Sequence, residues 1–132
     1  MPFEELSHTA DLSLRVSANS VSELFIESAR GMNALAGVQP AQSPIYHRSF
    51  TASAPDLESL LVAFLSELVF YYEGEHLVFE EFSLYLEMPR LSIEMSGVPF
   101  LSIDKTIKAV TFHDLKVLQT VAGFQVVIVF DV

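Results

Sequence analysis

The chain has 132 residues, enough for one domain with a substantial core and too few for two typical ones. Its composition, 51% hydrophobic and 18% charged, excludes a disordered chain, and with no cysteine there are no disulfides and no thiolate metal sites. Seventeen acidic residues against seven basic ones leave a formal net charge of −10. That argues against direct RNA or DNA binding, which draws affinity from Lys and Arg on phosphates, and favours cations or basic proteins as partners.

The N-terminus lacks the basic and apolar regions of a signal peptide, and the apolar runs are too short and interrupted to span a bilayer. The expectation is a soluble, cytoplasmic protein with no membrane association.

The stretch Ser7-His8-Thr9-Ala10-Asp11 places a histidine and an aspartate three residues apart. Leu12, Leu14 and Val16 then alternate with Ser13, Arg15 and Ser17, the period of a half-buried strand. Asp11 continues the polar set of that strand and belongs at its mouth. Taken alone, Asp11 and Thr9 fit a turn, because short polar side chains bond back to nearby backbone.

Asn19-Ser20 opens a helix. Ser20 and Glu23 have capping-box spacing, apolar residues recur at helical spacing from Val21 to Ala36, and Gly37 supplies the stop. Met32 reads as core filler. Residues 39–44, with two prolines, read as a loop, and Ile45 to Ser53 as a strand. His47 and Arg48 have no acidic neighbour in sequence and are assigned to the surface.

Pro55-Asp56 starts a second helix, ended by Glu73-Gly74-Glu75. Leu57, Leu60, Leu61, Phe64, Leu65, Leu68 and Tyr72 form its stripe, and Val62, Ala63 and Phe70 add apolar surface opposite. A helix apolar on most sides is expected to be largely buried.

Strands follow. Val78, Phe82, Leu84, Leu86 and Met88 alternate, Met88-Pro89-Arg90 turns, and Leu91, Ile93 and Met95 return as a hairpin. Glu81, Glu87 and Glu94 are expected to face solvent, and Ser96-Gly97-Val98-Pro99 to break the pattern. Strands are expected at Ile107 to Phe112, Leu115 to Thr120 and Phe124 to Asp131. The last is apolar on both faces and belongs in the middle of a covered sheet.

Asp131 ends that strand, beside the Val132 carboxylate. Strands end at water, which explains a terminal aspartate without any function. A second reading is that Asp11, Asp131 and the Val132 carboxylate converge as hard oxygen donors, which a divalent cation would hold together. The chain carries no Gly-rich phosphate loop, G-x-S-x-G, H-E-x-x-H or EF-hand loop.

Four segments in register resemble the archease family: His8-Thr9-Ala10-Asp11 with its strand, Leu60 to Leu68, Ile107-Lys108-Ala109-Val110-Thr111-Phe112-His113, and Val127 to Val132. The resemblance spans the whole chain and implies a single α+β domain over residues 1–132. Its fold is expected to be a sandwich of mostly antiparallel sheet with two principal helices packed against it.

The resemblance further implies an accessory protein, not an enzyme. Archeases promote guanylylation and multiple turnover of an RtcB-type RNA ligase in tRNA splicing or RNA repair. The family's divalent metal site maps to Asp11 and Asp131, with the Val132 carboxylate added here as a third ligand. Ca²⁺ is the first choice of ion, with Mg²⁺ or Mn²⁺ as alternatives. His8, Lys108 and His113 are expected beside the site or at the partner contact. Ser7 stands where many members have aspartate. Two other readings are a small metal-dependent hydrolase, with His8 or His113 as base, and a metal-free interaction or chaperone-like domain.

Overall fold

The capping signals act where the sequence puts them. In the computed structural model, which describes residues 2–6 and 11–132, α1 runs Val21–Ala36. The Ser20 hydroxyl accepts the Glu23 N–H, and Gly37 closes the helix at φ 67°, where a side chain would be strained. The second helix, α2, runs Leu57–Gly74, and the Asp56 carboxylate accepts the Ser59 N–H.

The strands in chain order are β1 (Phe3–Leu6), β2 (Leu12–Ala18), β3 (Gln39–Pro40), β4 (Tyr46–Ser53), β5 (Leu77–Glu87), β6 (Arg90–Ser102), β7 (Ala109–Val110), β8 (Leu118–Thr120) and β9 (Gly123–Asp131). One sheet has the order β1-β2-β9-β7, with β8 also on β9. The other is built on β6, which pairs with β3, β4 and β5. Every pairing is antiparallel.

This is the expected α+β architecture, and the helices join its halves. Helix α1 packs on β1, β2 and β9 of the first sheet and on β5 of the second. Helix α2 packs on β4 and β5 of the second and on β7 of the first. Between them Phe64 of α2 lies against Phe25 of α1, Phe50 of β4 and Phe82 of β5, with ring centroids 6.0, 6.4 and 5.6 Å away. Burial of such rings supplies much of a core's stabilisation. Met32 is fully buried, as expected of a core filler. Strand β9 is central, with Val126, Ile128 and Phe130 buried on the helix side and Val129 buried on the other.

Several expectations are corrected. Phe70 is 63% exposed, so α2 keeps one solvent-facing flank although Val62 is buried. Arg48 lies at the surface as expected, but it is paired there. Its guanidinium donates from Nη2 and Nε to the Glu75 carboxylate at 2.7 and 3.2 Å, a partner 27 residues away in sequence. The loop at 39–44 contains the short strand β3. The two strands expected over 107–120 shrink to β7 and β8, because only those residues pair in register with β9.

Ser96 to Pro99 does not interrupt β6. Gly97 lies where a Cβ would come 2.0 Å from the Val78 carbonyl oxygen, so the glycine permits a close approach of strands. Opposite it, Phe79 pairs with Gly97 and Glu81 with Ser96, leaving Glu80 as the extra residue of a β-bulge.

A bulge frees carbonyls from the ladder, and α1 takes them up. Asn33 donates Nδ2–H to the Phe79 carbonyl at 2.8 Å, and Arg30 donates from Nε and Nη2 to the Glu80 carbonyl, each at 3.1 Å. The buried Tyr72 hydroxyl donates to Asn33 Oδ1, tying α2 to the same point. Burial pushes the Tyr72 phenol well above its ordinary range, so it stays a donor.

Candidate metal centre

Strand β9 runs antiparallel to β2, with Leu12 opposite Phe130 and Leu14 opposite Ile128. Asp11 lies in the bend just before Leu12, outside the paired residues; a register continued by one step would bring it opposite Asp131. Residues directly opposed in such a pair share a sheet face, with Cβ atoms about 4.5–5.5 Å apart. Two carboxylates at that spacing fit a hard cation that takes oxygens at about 2.3–2.6 Å. Phe130 faces the helices, so Asp131 faces away from them. Asp131 is exposed and Asp11 half-buried.

On the other side of β9, Ala109 of β7 pairs directly with Asp131. The Lys108 N–H donates to the Asp131 carbonyl at 2.8 Å and fixes the end of the strand. Position 109 was not singled out as a site neighbour from the sequence. The pairing of a two-residue strand leaves almost no periodic signal.

Two steps back on the same face, Ser13 and Val129 pair and are 4% and 7% exposed, although this face points away from both helices. The row next to the carboxylates is therefore shielded from water. Charge interactions are stronger beside such a row than in open solvent.

Val132 is half-buried and its side chain packs against the core, so it can offer the site only main-chain oxygen. Lys108 is exposed, and its main chain lies at the Asp131 end. His113 follows β7, which runs away from that end. Its Nε2 lies 3.3 Å from the Asp114 carboxylate, and its N–H donates to Thr111 Oγ1. His8, with the rest of residues 7–10, lies outside the described residues. Among the described residues no three His, Cys, Asp or Glu side chains are grouped to hold a metal.

The Asp131 end of the first sheet is a surface feature and not a cavity. A broad concavity of about 770 Å³ lies on the second sheet, between His47, Ser49, Glu81, Ser83, Glu94 and Ser96, away from that end. Among the described residues no helix is long and apolar enough to cross a membrane.

Residues 3–132 match the model of the archease protein family (MTH1598/TM1083). A protein archease of Methanosarcina barkeri is 32% identical over 140 residues, covering 98% of this chain and 95% of the relative. One from Saccharolobus solfataricus is 28% identical, covering 98% of each. The solution structure of Methanobacterium thermoautotrophicum protein 1598 superposes with a TM-score of 0.71 over 99% of both chains at 22% identity, a likeness of fold.

Proposed function

The chain belongs to the archease family, and from that premise we propose that it is a metal-binding accessory protein that activates an RtcB-type RNA ligase, promoting its guanylylation and multiple turnover. The observation that supports the reading is that Asp11 and Asp131 directly flank the last β2–β9 pair, Leu12 with Phe130, at one end of the first sheet. Asp11 and Asp131 would hold the ion, with the main-chain carboxylate of Val132 as a third donor. Hard oxygen donors without thiolates suit Ca²⁺ first, and Mg²⁺ or Mn²⁺ after it.

The ion's chemistry would be that of a charge and a template, orienting phosphate-type oxygens of the partner. The chain itself would present the carboxylates on a tip fixed by the Lys108 hydrogen bond, and its net charge of −10 would favour a basic, RNA-handling partner. Direct RNA contact is not needed.

The test is turnover of the RNA ligase with substoichiometric ligase and excess RNA, with and without this protein. Faster multiple turnover, lost in Asp131→Asn, supports the proposal; equal rates refute it. Calorimetric titration with Ca²⁺ tests the site separately. A chain extended beyond Val132 tests the third donor, and unchanged affinity removes Val132 from the set.

A further inference from the structure

Strand β4 forms one edge of the second sheet. It pairs with β6 in unbroken register from Tyr46 to Ser53, and among the described residues no strand pairs with its other side. Natural sheets block exposed edges with proline, charge or bulges. On β5, a bulge and the side chains of Arg30 and Asn33 interrupt the edge. Strand β4 has no proline, and its only charged or titratable residues, His47 and Arg48, lie toward one end. There Arg48 Nη1 donates to the His47 carbonyl at 2.8 Å. Among the described residues nothing else bonds the outer side of Ser49 to Ser53.

The two faces of this edge differ. On the helix side Phe50 and Ala52 are half-buried, whereas their β6 partners Ile93 and Leu91 are 1% and 0% exposed. The core thins toward β4. On the opposite face Ser49 pairs with Glu94, and Ser96 lies between His47 and Glu81. The concavity of about 770 Å³ lies over these residues, so the space above Ser49 and Glu94 is open. Glu81 and Glu94 are exposed, and among the described residues neither has an ion-pair partner.

We propose that the outer edge of β4 takes up an extended segment of a partner protein as an added strand, one in which apolar residues alternate with Lys or Arg. Main-chain bonds give such strand addition its affinity, and alternate side chains give it selectivity. Neighbouring strands lie about 4.7–4.9 Å apart, so a Lys or Arg set beside Ser49 would extend over it to the Glu94 carboxylate one strand further in. The apolar residues between would cover Phe50 and Ala52. A second copy of β4 fits worse. It brings only His47 and an Arg48 already held by Glu75, on a chain whose net charge of −10 repels its like. The inference goes beyond the metal-binding reading and needs neither an ion nor the Asp131 end of the first sheet.

The experiment uses the full chain and a synthetic probe peptide, acetyl-Lys-Val-Lys-Val-Lys-Val-Lys-amide. Calorimetry reads affinity, and amide exchange followed by NMR reads location. The probe should bind, and the protection it adds should fall within residues 46–53. The same peptide N-methylated at alternate residues, which cannot pair as a strand, should bind at least about tenfold more weakly. So should the peptide with Glu for Lys. Glu94→Gln should weaken the probe about threefold, and Glu73→Gln, which removes the same charge from the end of α2, should leave it within about twofold. Both side chains are exposed, and circular dichroism checks that both variants fold.

Absence of probe binding would overturn the proposal, as would added protection outside β4 alone. Equal affinity of the N-methylated peptide would reduce the binding to charge attraction and overturn strand addition. Equal effects of Glu94→Gln and Glu73→Gln would overturn the role of the concavity. Protection of residues 46–53 that rises with protein concentration, without peptide, would overturn the proposal in favour of a second copy.

Discussion

The bulge in β5 and the end of β9 are both places where a sheet stops being regular, and they treat polar groups in opposite ways. At the bulge, the carbonyls of Phe79 and Glu80 are each met by a side chain of this chain, from Asn33 and Arg30. Asn33 and Tyr72 are buried and mutually satisfied. At the end of β9, the Asp131 carboxylate is exposed on a face held by main-chain bonds from Lys108 and the β2 register. The first region closes on itself and stabilises the fold. The second presents charge outward from a rigid frame. An internally satisfied polar group indicates structure; an exposed carboxylate on a rigid strand end, as at Asp131, is accessible to a ligand.

Four variants or conditions would break or sharpen that contrast. The largest effect is expected from Gly97→Ala beside the bulge. The new Cβ would meet the Val78 backbone, and a loss of about 3 kcal/mol or more in urea unfolding follows from overpacking against an atom that cannot rotate away. A cost below about 1 kcal/mol would show that β5 and β6 can separate there without loss.

Next is Asn33→Ala, which leaves the Phe79 carbonyl and the Tyr72 hydroxyl buried without their partner. Two such losses should cost about 2–3 kcal/mol. Tyr72→Phe, which keeps the Asn33 bond to Phe79, should cost about half as much; equal costs would mean that the hydroxyl carries the network.

Third is Asp131→Asn. Calcium affinity should fall at least tenfold, about 1.4 kcal/mol, while the ion-free stability stays within about 0.5 kcal/mol. A large loss of ion-free stability would place Asp131 with the bulge network and not with a site.

The smallest effect is a pH dependence. The hydrogen bonds from Arg48 hold the Glu75 carboxyl below its ordinary value, and the Ser59 N–H does the same for Asp56. Both native values are depressed. Each group therefore contributes stability above the ordinary carboxylate range, and that contribution is lost as pH falls through the lowered native value. Unfolding midpoints should drop as pH goes below about 4, and by less in Arg48→Gln. Identical acid sensitivity in Arg48→Gln would show that the exposed pair adds nothing measurable.

The readable parts of the fold were those encoded over short distances. Ser20, Glu23 and Gly37 bracket α1 because caps act within a few residues. Asp56 does so for α2. The alternation from Leu12 and the two-faced apolar run from Phe124 marked β2 and the central β9. Met88-Pro89 marked the hairpin, with Glu87 opposite Arg90. Of the site, Asp11 and Asp131 were legible as carboxylates at strand ends.

What only the tertiary structure decided depends on pairs far apart in the chain. The gap at Glu80 in an otherwise regular alternation is a bulge, because Arg30 and Asn33, about 50 residues earlier, accept its geometry. Gly97 reads as a breaker until Val78 is seen to press against it. Arg48 finds Glu75 only through packing of β4 and α2. Strands β7 and β8 are short because pairing with β9, and not local propensity, sets their length. The sequence by itself determined the helices, their caps, the central strands and the carboxylates at their ends. The tertiary structure decided the register that pairs Leu12 with Phe130 and Ala109 with Asp131, because register is a property of paired strands and no single strand contains it.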